Sequence, residues 1–214
     1  MTWDRKSVIF GYDIAAYGLA DLVAAHFGVS NLSQLHRSGT RTYEIFRREN
    51  DQSSEFHKKF YTIGDAFYAR YRAFVREVIA PRLGVAFVFQ RIPTFRAQLP
   101  DNLAVGEFHR DRDYNHSVAE INFWLPFTDT QDSNTIWIES AAGREDCKPY
   151  NLKYGQALMF DGPNLKHGNQ VNRTGRTRVS CDFRIIPMAD FKPSGRTTIN
   201  TGMKFEIGGY FDKL

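Results

Sequence analysis

The spacing of apolar residues in this chain changes at Gly84. Between Phe56 and Val78, large apolar side chains recur every three or four positions, which places them along one side of a helix. After Gly84, apolar and polar residues alternate in short runs, and turn-forming clusters separate the runs. The sequence therefore predicts a helical first part followed by a β-rich core.

Eight strand candidates follow Gly84, and eight short strands at this spacing indicate a jelly-roll or a small barrel. A helix over 14–27 and a longer helix from about 53 to Pro81 precede them, and the longer one is expected to cover one outer face of a sheet. We expect one domain over 1–214, with a mainly helical part at 1–84, a jelly-roll core at 85–187 and a C-terminal extension at 188–214. The predicted strands are 85–90, 94–98, 104–108, 117–127, 135–139, 156–160, 168–171 and 177–186.

The composition restricts the class of protein and the type of metal site. Hydrophobic residues make up 42% of the chain and charged residues 24%, which is enough apolar surface for a folded core. No apolar run approaches the roughly 18 residues that a membrane crossing needs, so a soluble, cytoplasmic protein without membrane contact is expected. The chain has only two cysteines, Cys147 and Cys181, too few for a thiolate zinc site. Any metal would have to be bound by histidines and carboxylates.

The net charge of +4 permits an anionic partner. However, the sequence has no basic run, no zinc knuckle and no aromatic motif of the kind that binds RNA. We therefore expect a small-molecule substrate and no nucleic-acid partner. The sequence is also compatible with a homodimer.

A candidate metal site begins with His109 and Asp111. They follow the predicted strand 104–108, and residues i and i+2 of a strand point to the same side. His167, at the start of a later strand, offers a third ligand. Two imidazoles and one carboxylate leave three octahedral positions open, the arrangement of non-haem Fe(II) oxygenases. On its own, the His-x-Asp triplet is equally compatible with an ordinary histidine and a turn aspartate.

A second feature lies on the last predicted strand. The turn at 172–175 is expected to make this strand a hairpin partner of the strand with His167, which brings Arg178 close to that histidine. Alternation places Arg178, Ser180 and Asp182 on one face, pointing into the barrel. A buried arginine without a partner costs several kcal/mol, so a dianionic ligand is predicted to meet Arg178 and Ser180. The alternative for Arg178 is a surface salt bridge. The opposite face is apolar and consists of Val179, Cys181, Phe183 and Ile185.

Together, these motifs resemble the Fe(II)/2-oxoglutarate-dependent oxygenases with a double-stranded β-helix. The segment EINFWLPFTDTQDSNTIWIE at 120–139, followed by GQALMF and His167, is similar more particularly to the phytanoyl-CoA dioxygenase superfamily. Within it, the chain resembles dioxygenase-like proteins of streptomycin-type gene clusters. The resemblance extends from about 85 to 187. The chain departs from it at Ser133-Asn134-Thr135 and Glu139-Ser140-Ala141, in the loop on the substrate side.

The resemblance implies a cupin-like jelly-roll and an iron ion bound by His109, Asp111 and His167. It implies 2-oxoglutarate and dioxygen as co-substrates, with Arg178 and Ser180 on the distal carboxylate of 2-oxoglutarate. Asp111 occupies the position where related halogenases have a small residue, so hydroxylation is favoured over halogenation. Ring closure, epoxidation and desaturation stay open.

The implied substrate is a small polar molecule of antibiotic biosynthesis, such as an aminoglycoside or a sugar-derived intermediate. Because the chain is basic, a nucleoside, an amino acid and a phosphorylated sugar also remain candidates. The alternative function is a non-redox, metal-dependent, cupin-like isomerase or lyase. Such an enzyme could use the same three ligands but has no need of an inward-pointing Arg178.

Further residues are predicted to line the pocket because they share strand faces near the metal ligands. Asn122 and Trp124 are expected to contact the co-substrate. Arg96, Gln98 and Arg110 are expected to contact the substrate. For each of them, an ordinary place in the core or on the surface is an equal alternative.

Overall fold

Ten strands form two antiparallel sheets within residues 3–39, 54–105, 107–198 and 202–214, the part of the chain that the computed structural model describes. The first sheet has the strand order β1-β7-β4-β9-β2-β10, with β3 also paired to β9, and the second has the order β6-β5-β8. This is a cupin-like jelly-roll, so the predicted double-stranded β-helix is confirmed. The strands are β1 Val8–Gly11, β2 Phe87–Gln90, β3 Thr94–Gln98, β4 Ile121–Pro126, β5 Ile136–Ile138, β6 Lys148–Tyr150, β7 Gln156–Phe160, β8 His167–Gly168, β9 Arg178–Pro187 and β10 Phe211–Lys213.

Helices cover the outer face of the first sheet, as predicted. The rings of Tyr71 and Phe74 lie 5.2 and 6.4 Å from the ring of Phe183 on β9, and Phe183 stacks on Phe123 of β4 at 5.2 Å. These aromatic contacts join the helices and the sheet into one core. The helices are α1 Ile14–Tyr17, α2 Leu19–Phe27, α3 Glu55–Phe60, α4 Asp65–Phe74 and α5 Ala80–Leu83, with a 3₁₀ segment at Leu32–Arg37 and a π turn at Val75–Ile79.

Both predicted helices are interrupted. Gly18, in the left-handed conformation with φ 52°, separates α1 from α2. The longer predicted helix is broken at Gly64, which has an extended backbone and caps the start of α4. Pro81 does not end the helix, because it stands in the first turn of α5, where its missing N–H costs little. Gly84, with φ 62°, ends it. Residues 40–53 of the predicted helical part lie outside the described residues.

The alternation of β9 is as predicted. Its apolar side chains lie in the core beneath the helices, while Arg178, Asp182 and Arg184 line a cavity between the two sheets. The strand has ten residues and is long enough to pair with β2, β3 and β4. β9 therefore carries polar groups along most of the cavity while it also closes the core.

The predicted hairpin between the strands of His167 and Arg178 is wrong. β8 pairs with β5 in the second sheet, whereas β9 belongs to the first sheet. The turn at 172–175 instead crosses between the sheets, because Asn172 holds it against the loop after β3. The side chain of Asn172 donates to the carbonyl oxygen of Gln98 at 3.2 Å, and its backbone oxygen accepts from Asp101 N at 2.8 Å.

Other predicted strands are shorter than expected or absent. The described residues of 104–108 do not form a strand, and residue 106 lies outside the described part. The strand predicted at 168–171 is reduced to His167–Gly168. Three strands were not predicted: β1, β6 and β10. Of these, β10 belongs to the C-terminal extension and pairs with β2, so that extension completes one edge of the first sheet. None of the described helices combines the length and apolar character needed to cross a bilayer.

Candidate metal centre

The three predicted metal ligands converge in the structure. Oδ1 of Asp111 lies 3.4 Å from Nε2 of His109 and 3.4 Å from Nε2 of His167. One ligand atom from each residue lies within 4.8 Å of the others, and no other set of three His, Cys, Asp or Glu residues does so within the described ranges. Two imidazole nitrogens and a carboxylate oxygen are a donor set that suits a divalent transition metal.

The convergence does not arise from a shared strand face. His109 and His167 form an isolated antiparallel bridge, in which each backbone N donates to the other residue's carbonyl oxygen at 2.9 Å. Asp111 begins a 3₁₀ turn, and its backbone N donates to the carbonyl oxygen of Gly162 at 3.1 Å. The prediction that His109 and Asp111 meet by strand alternation is therefore wrong, although the two side chains do meet. A bridge and a loop contact bring them together.

Hydrogen bonds at the far side of each ring orient the histidines. Nδ1 of His109 lies 3.1 Å from the carbonyl oxygen of Glu107, and Nδ1 of His167 lies 2.9 Å from that of Leu165. Because a carbonyl oxygen only accepts, each Nδ1 carries the hydrogen and each Nε2 is left with a lone pair. Two lone pairs and a carboxylate oxygen facing each other repel unless a cation lies among them. The residues therefore fit a bound metal ion.

Charges around Asp111 keep it ionised. The Asp111 side chain is 2% exposed, and its Oδ2 accepts from Asn122 Nδ2 at 2.6 Å and from Arg184 Nε at 3.0 Å. Burial by itself favours the neutral acid, but the charge of Arg184 holds the pKa of Asp111 well below its usual range. Burial likewise opposes protonation of His109, yet the hydrogen bond and charge of Asp111 raise its pKa. Both shifts show that the site favours positive charge.

A cavity extends from the triad between the two sheets. His109 and His167 line it. Four other predicted residues do so as well: Arg96, Asn122, Trp124 and Arg178. The other predicted residues are not among the lining residues: Gln98, Arg110, Asp111 and Ser180.

Arg178 is a fully buried cation, 1% exposed. Its Nη1 donates to Ser180 Oγ at 2.6 Å, its Nη2 to Gln98 Oε1 at 3.3 Å and its Nε to the carbonyl oxygen of Asn134 at 3.2 Å. Trp124 packs beside it, with the guanidinium carbon 5.5 Å from the ring centre, and donates from Nε1 to Ser180 Oγ at 3.2 Å. Gln98 therefore orients Arg178 instead of lining the cavity.

The acceptors of Arg178 are neutral, and the described residues place no carboxylate within ion-pair distance of it. Burial, with a smaller effect from the positive charge of Arg96, lowers the pKa of Arg178 to about 9. The guanidinium thus stays charged at neutral pH but lacks a counter-ion. A dianionic ligand with one carboxylate at this end of the cavity would supply that counter-ion.

Arg96 contributes to a charged wall of the cavity. Its Nε lies 3.8 Å from Oδ1 of Asp182, whose Oδ2 accepts from Arg184 Nη1 at 2.6 Å. Asp182 lines the cavity, as the alternation predicted, and the structure adds Arg184 to the site. Arg184 has the same strand parity as Arg178 and Asp182, so one more step of the alternation would have revealed it.

Comparison with known proteins identifies the relatives of this chain. It is 38% identical over 203 residues to the streptomycin biosynthesis protein StrG of Streptomyces griseus, an alignment that covers 95% of this chain and 96% of StrG. The chain belongs to the StrG family. No protein-family model matches it.

Solved structures with a similar fold support the architecture of this StrG-family protein. EctD from S. alaskensis with bound Fe has a TM-score of 0.57 at 16% identity, covering 87% of this chain and 75% of EctD. HygX from Streptomyces hygroscopicus with nickel and 2-oxoglutarate bound has a TM-score of 0.52 at 12% identity, covering 98% of this chain and 93% of HygX. At these identities the similarity shows a common fold.

In this StrG-family protein, Arg110 stabilises a loop next to the site. Its Nη2 donates to Glu139 Oε1 at 3.2 Å. The fully buried Glu139 also accepts from the backbone N of Lys166 at 2.6 Å and from those of Gly143 and Glu145, both at 3.1 Å. Burial raises the pKa of Glu139, but these backbone hydrogen bonds and Arg110 outweigh it and lower the pKa.

Glu139→Gln should lower the free energy of unfolding at pH 7 by about 1–3 kcal/mol, because an amide cannot replace an ionised acceptor of four N–H groups. A pKa that is lower in the folded protein stabilises it above the unfolded pKa, and that stability is lost as the pH falls through the folded value. Urea unfolding should therefore show the difference at pH 7 and a smaller one near about pH 3. Glu145→Gln, whose side chain is 69% exposed, is the control. Equal destabilisation at both pH values would contradict this role of the charge.

Proposed function

We propose that this protein is an Fe(II)- and 2-oxoglutarate-dependent oxygenase. The observation that carries the proposal is the pairing, in one cavity, of a His–Asp–His donor set with Arg178, a buried cation whose acceptors are all neutral. The iron in the EctD structure and the nickel and 2-oxoglutarate in the HygX structure support it, since both proteins have the same fold. Bound iron would supply the activation of dioxygen, with 2-oxoglutarate providing the electrons.

The residues of the site bind either the metal or the co-substrate, according to their charge. His109, Asp111 and His167 bind the metal with two neutral nitrogens and one negative oxygen, which leaves positions for the co-substrates. Arg178 and Ser180 bind the distal carboxylate of 2-oxoglutarate through the guanidinium and the hydroxyl. Because both groups are buried, this charge-assisted pair is strong and fixes the orientation of the co-substrate.

Apolar side chains line part of the cavity and would exclude water from it. The apolar lining residues are Trp124 and Phe160 of the first sheet and Ile136 of the second. Exclusion of water protects a reactive centre from side reactions and strengthens the pairing of charges inside. Trp124 also donates to Ser180, which keeps that hydroxyl directed towards Arg178.

The substrate we propose is a small polar molecule of antibiotic biosynthesis, an aminoglycoside or another sugar-derived intermediate, and the reaction is hydroxylation. The name of StrG places that relative in streptomycin biosynthesis. Arg96 and Asp182 line the cavity near the triad and offer a cation and an anion to a polar substrate. The presence of Asp111 among the ligands supports hydroxylation over halogenation.

Mixing the protein with Fe(II) and 2-oxoglutarate in the absence of oxygen tests the function. Chelation of 2-oxoglutarate to the metal should produce a visible charge-transfer band, because light can then transfer an electron from the electron-rich Fe(II) to the bound keto acid. Zn(II) is the matched control, since its filled d shell gives no such band. Absence of the band in folded protein with measured bound iron would overturn the proposal.

A further inference from the structure

Hydrogen bonds restrain one oxygen of the Asp111 carboxylate and leave the other free to face the histidines. Oδ2 accepts from Asn122 and from Arg184, while Oδ1 lies 3.4 Å from both imidazoles. We propose that Asn122 and Arg184 act as positioning residues that keep Asp111 a one-oxygen ligand. In this way they preserve the metal positions that the co-substrates need. The inference rests on the proposed function.

Arg184 is locked in place by several acceptors. It is 7% exposed and bridges two carboxylates, with Nε donating to Asp111 at 3.0 Å and Nη1 to Asp182 at 2.6 Å. Nη1 also lies 3.4 Å from Gln90 Oε1 and from Thr94 Oγ1. A planar guanidinium held at this many points has little freedom to rotate away from Oδ2.

Asn122 is positioned by a glycine. It is 1% exposed, and its amide lies against Gly162 so closely that a Cβ at residue 162 would be 2.3 Å from Nδ2. The carbonyl oxygen of Gly162 accepts from the backbone N of Asp111 at 3.1 Å. Gly162 thus supports Asp111 directly through its backbone and indirectly through the space that it leaves for Asn122.

Binding of the metal through both oxygens of Asp111 would occupy a position that a co-substrate needs. An octahedral ion has six positions, of which the triad takes three, 2-oxoglutarate two and dioxygen one. Carboxylates bind metals through one or two oxygens. If Oδ2 also bound the ion, a co-substrate would lose its position, although the ion would be held at least as firmly. The hydrogen bonds to Oδ2 therefore act on co-substrate chelation and not on retention of the metal.

Two substitutions separate an effect on co-substrate chelation from an effect on retention of the metal. Asn122→Leu removes the donor to Oδ2, and Gly162→Ala displaces Asn122 without changing it. Calorimetric titrations would measure the affinity for Ni(II) and the affinity of the Ni(II)-loaded protein for 2-oxoglutarate. We expect 2-oxoglutarate binding to weaken by about 10-fold or more in both variants, with Ni(II) affinity within about threefold of the parent, whereas a general loss of outer-shell support would lower the metal affinity itself by about 10–100-fold.

Thr130→Val is the control, because Thr130 is also buried and bonded to Leu152 but does not line the cavity. It should leave both affinities unchanged. A purely structural role for Asn122 would lower both affinities together, and that result, or no change in either, would overturn the inference. A parent protein that binds Ni(II) but no 2-oxoglutarate would overturn the proposed function itself.

Discussion

Arg178→Gln is expected to weaken 2-oxoglutarate binding strongly while the protein still binds its metal. The substitution removes the buried positive charge that we propose for the distal carboxylate. Loss of one partner of a buried, hydrogen-bonded charge pair costs about 2–5 kcal/mol, so the affinity should fall by about 30-fold to 4,000-fold. Titration of 2-oxoglutarate into Ni(II)-loaded protein, together with measurement of succinate formation by the Fe(II) form, would check it.

Arg176→Gln is the matched control, because Arg176 lies two residues away and is exposed. Unchanged Ni(II) affinity of Arg178→Gln shows that the variant is folded, which matters because Arg178 also bonds to Asn134. Arg178→Lys should bind 2-oxoglutarate with intermediate affinity, since it keeps the charge but not the planar fork. If Arg178→Gln kept its affinity for 2-oxoglutarate, an isomerase or lyase that uses only the triad would become the better reading.

His167→Gln is expected to remove the metal, and with it all turnover. The substitution deletes one of the two imidazole ligands and leaves a weaker amide donor, so affinity for Ni(II) or Fe(II) should fall by more than about 100-fold, beyond the effect of outer-shell partners. The charge-transfer band with 2-oxoglutarate should disappear as well. Measurement of bound metal after gel filtration would test this directly.

His26→Gln serves as the control for the loss of a histidine. Its ring bonds to the backbone oxygen of Lys59 on the helical side of the protein, away from the cavity. This variant should bind metal as the parent does. Retention of stoichiometric metal by His167→Gln would mean that the three donors do not act as one site.

Much of the site could be predicted because it depends on residue types and strand parity. Few types of side chain can bind a metal ion or a carboxylate. The motifs that contain them can therefore be found in the sequence, namely His109-x-Asp111, His167 and Arg178-x-Ser180. Alternation on β9 follows from backbone geometry alone and correctly separated the apolar face from the polar one. The role of Gln98 as a partner of Arg178 could not be predicted, since it depends on the non-local pairing of β3 with β9, in which the two residues are opposite each other.

Strand partners and loop contacts were decided by the tertiary structure. The turn at 172–175 reads locally as a hairpin, but Asn172 bonds to the loop after β3 and directs the chain to the other sheet. The edge strand β1 has no strong local signal, and its pairing with β7 is non-local.

The sequence by itself determined which groups can bind a metal ion and an acid, and which face of β9 they share, because these properties reside in side-chain chemistry and in the two-residue repeat of a strand. Only the tertiary structure decided that Asp111 is restrained through one oxygen. That restraint depends on Asn122, Gly162 and Arg184, which are distant in sequence and meet through packing. Local patterns specify the groups, and the folded core specifies their orientation.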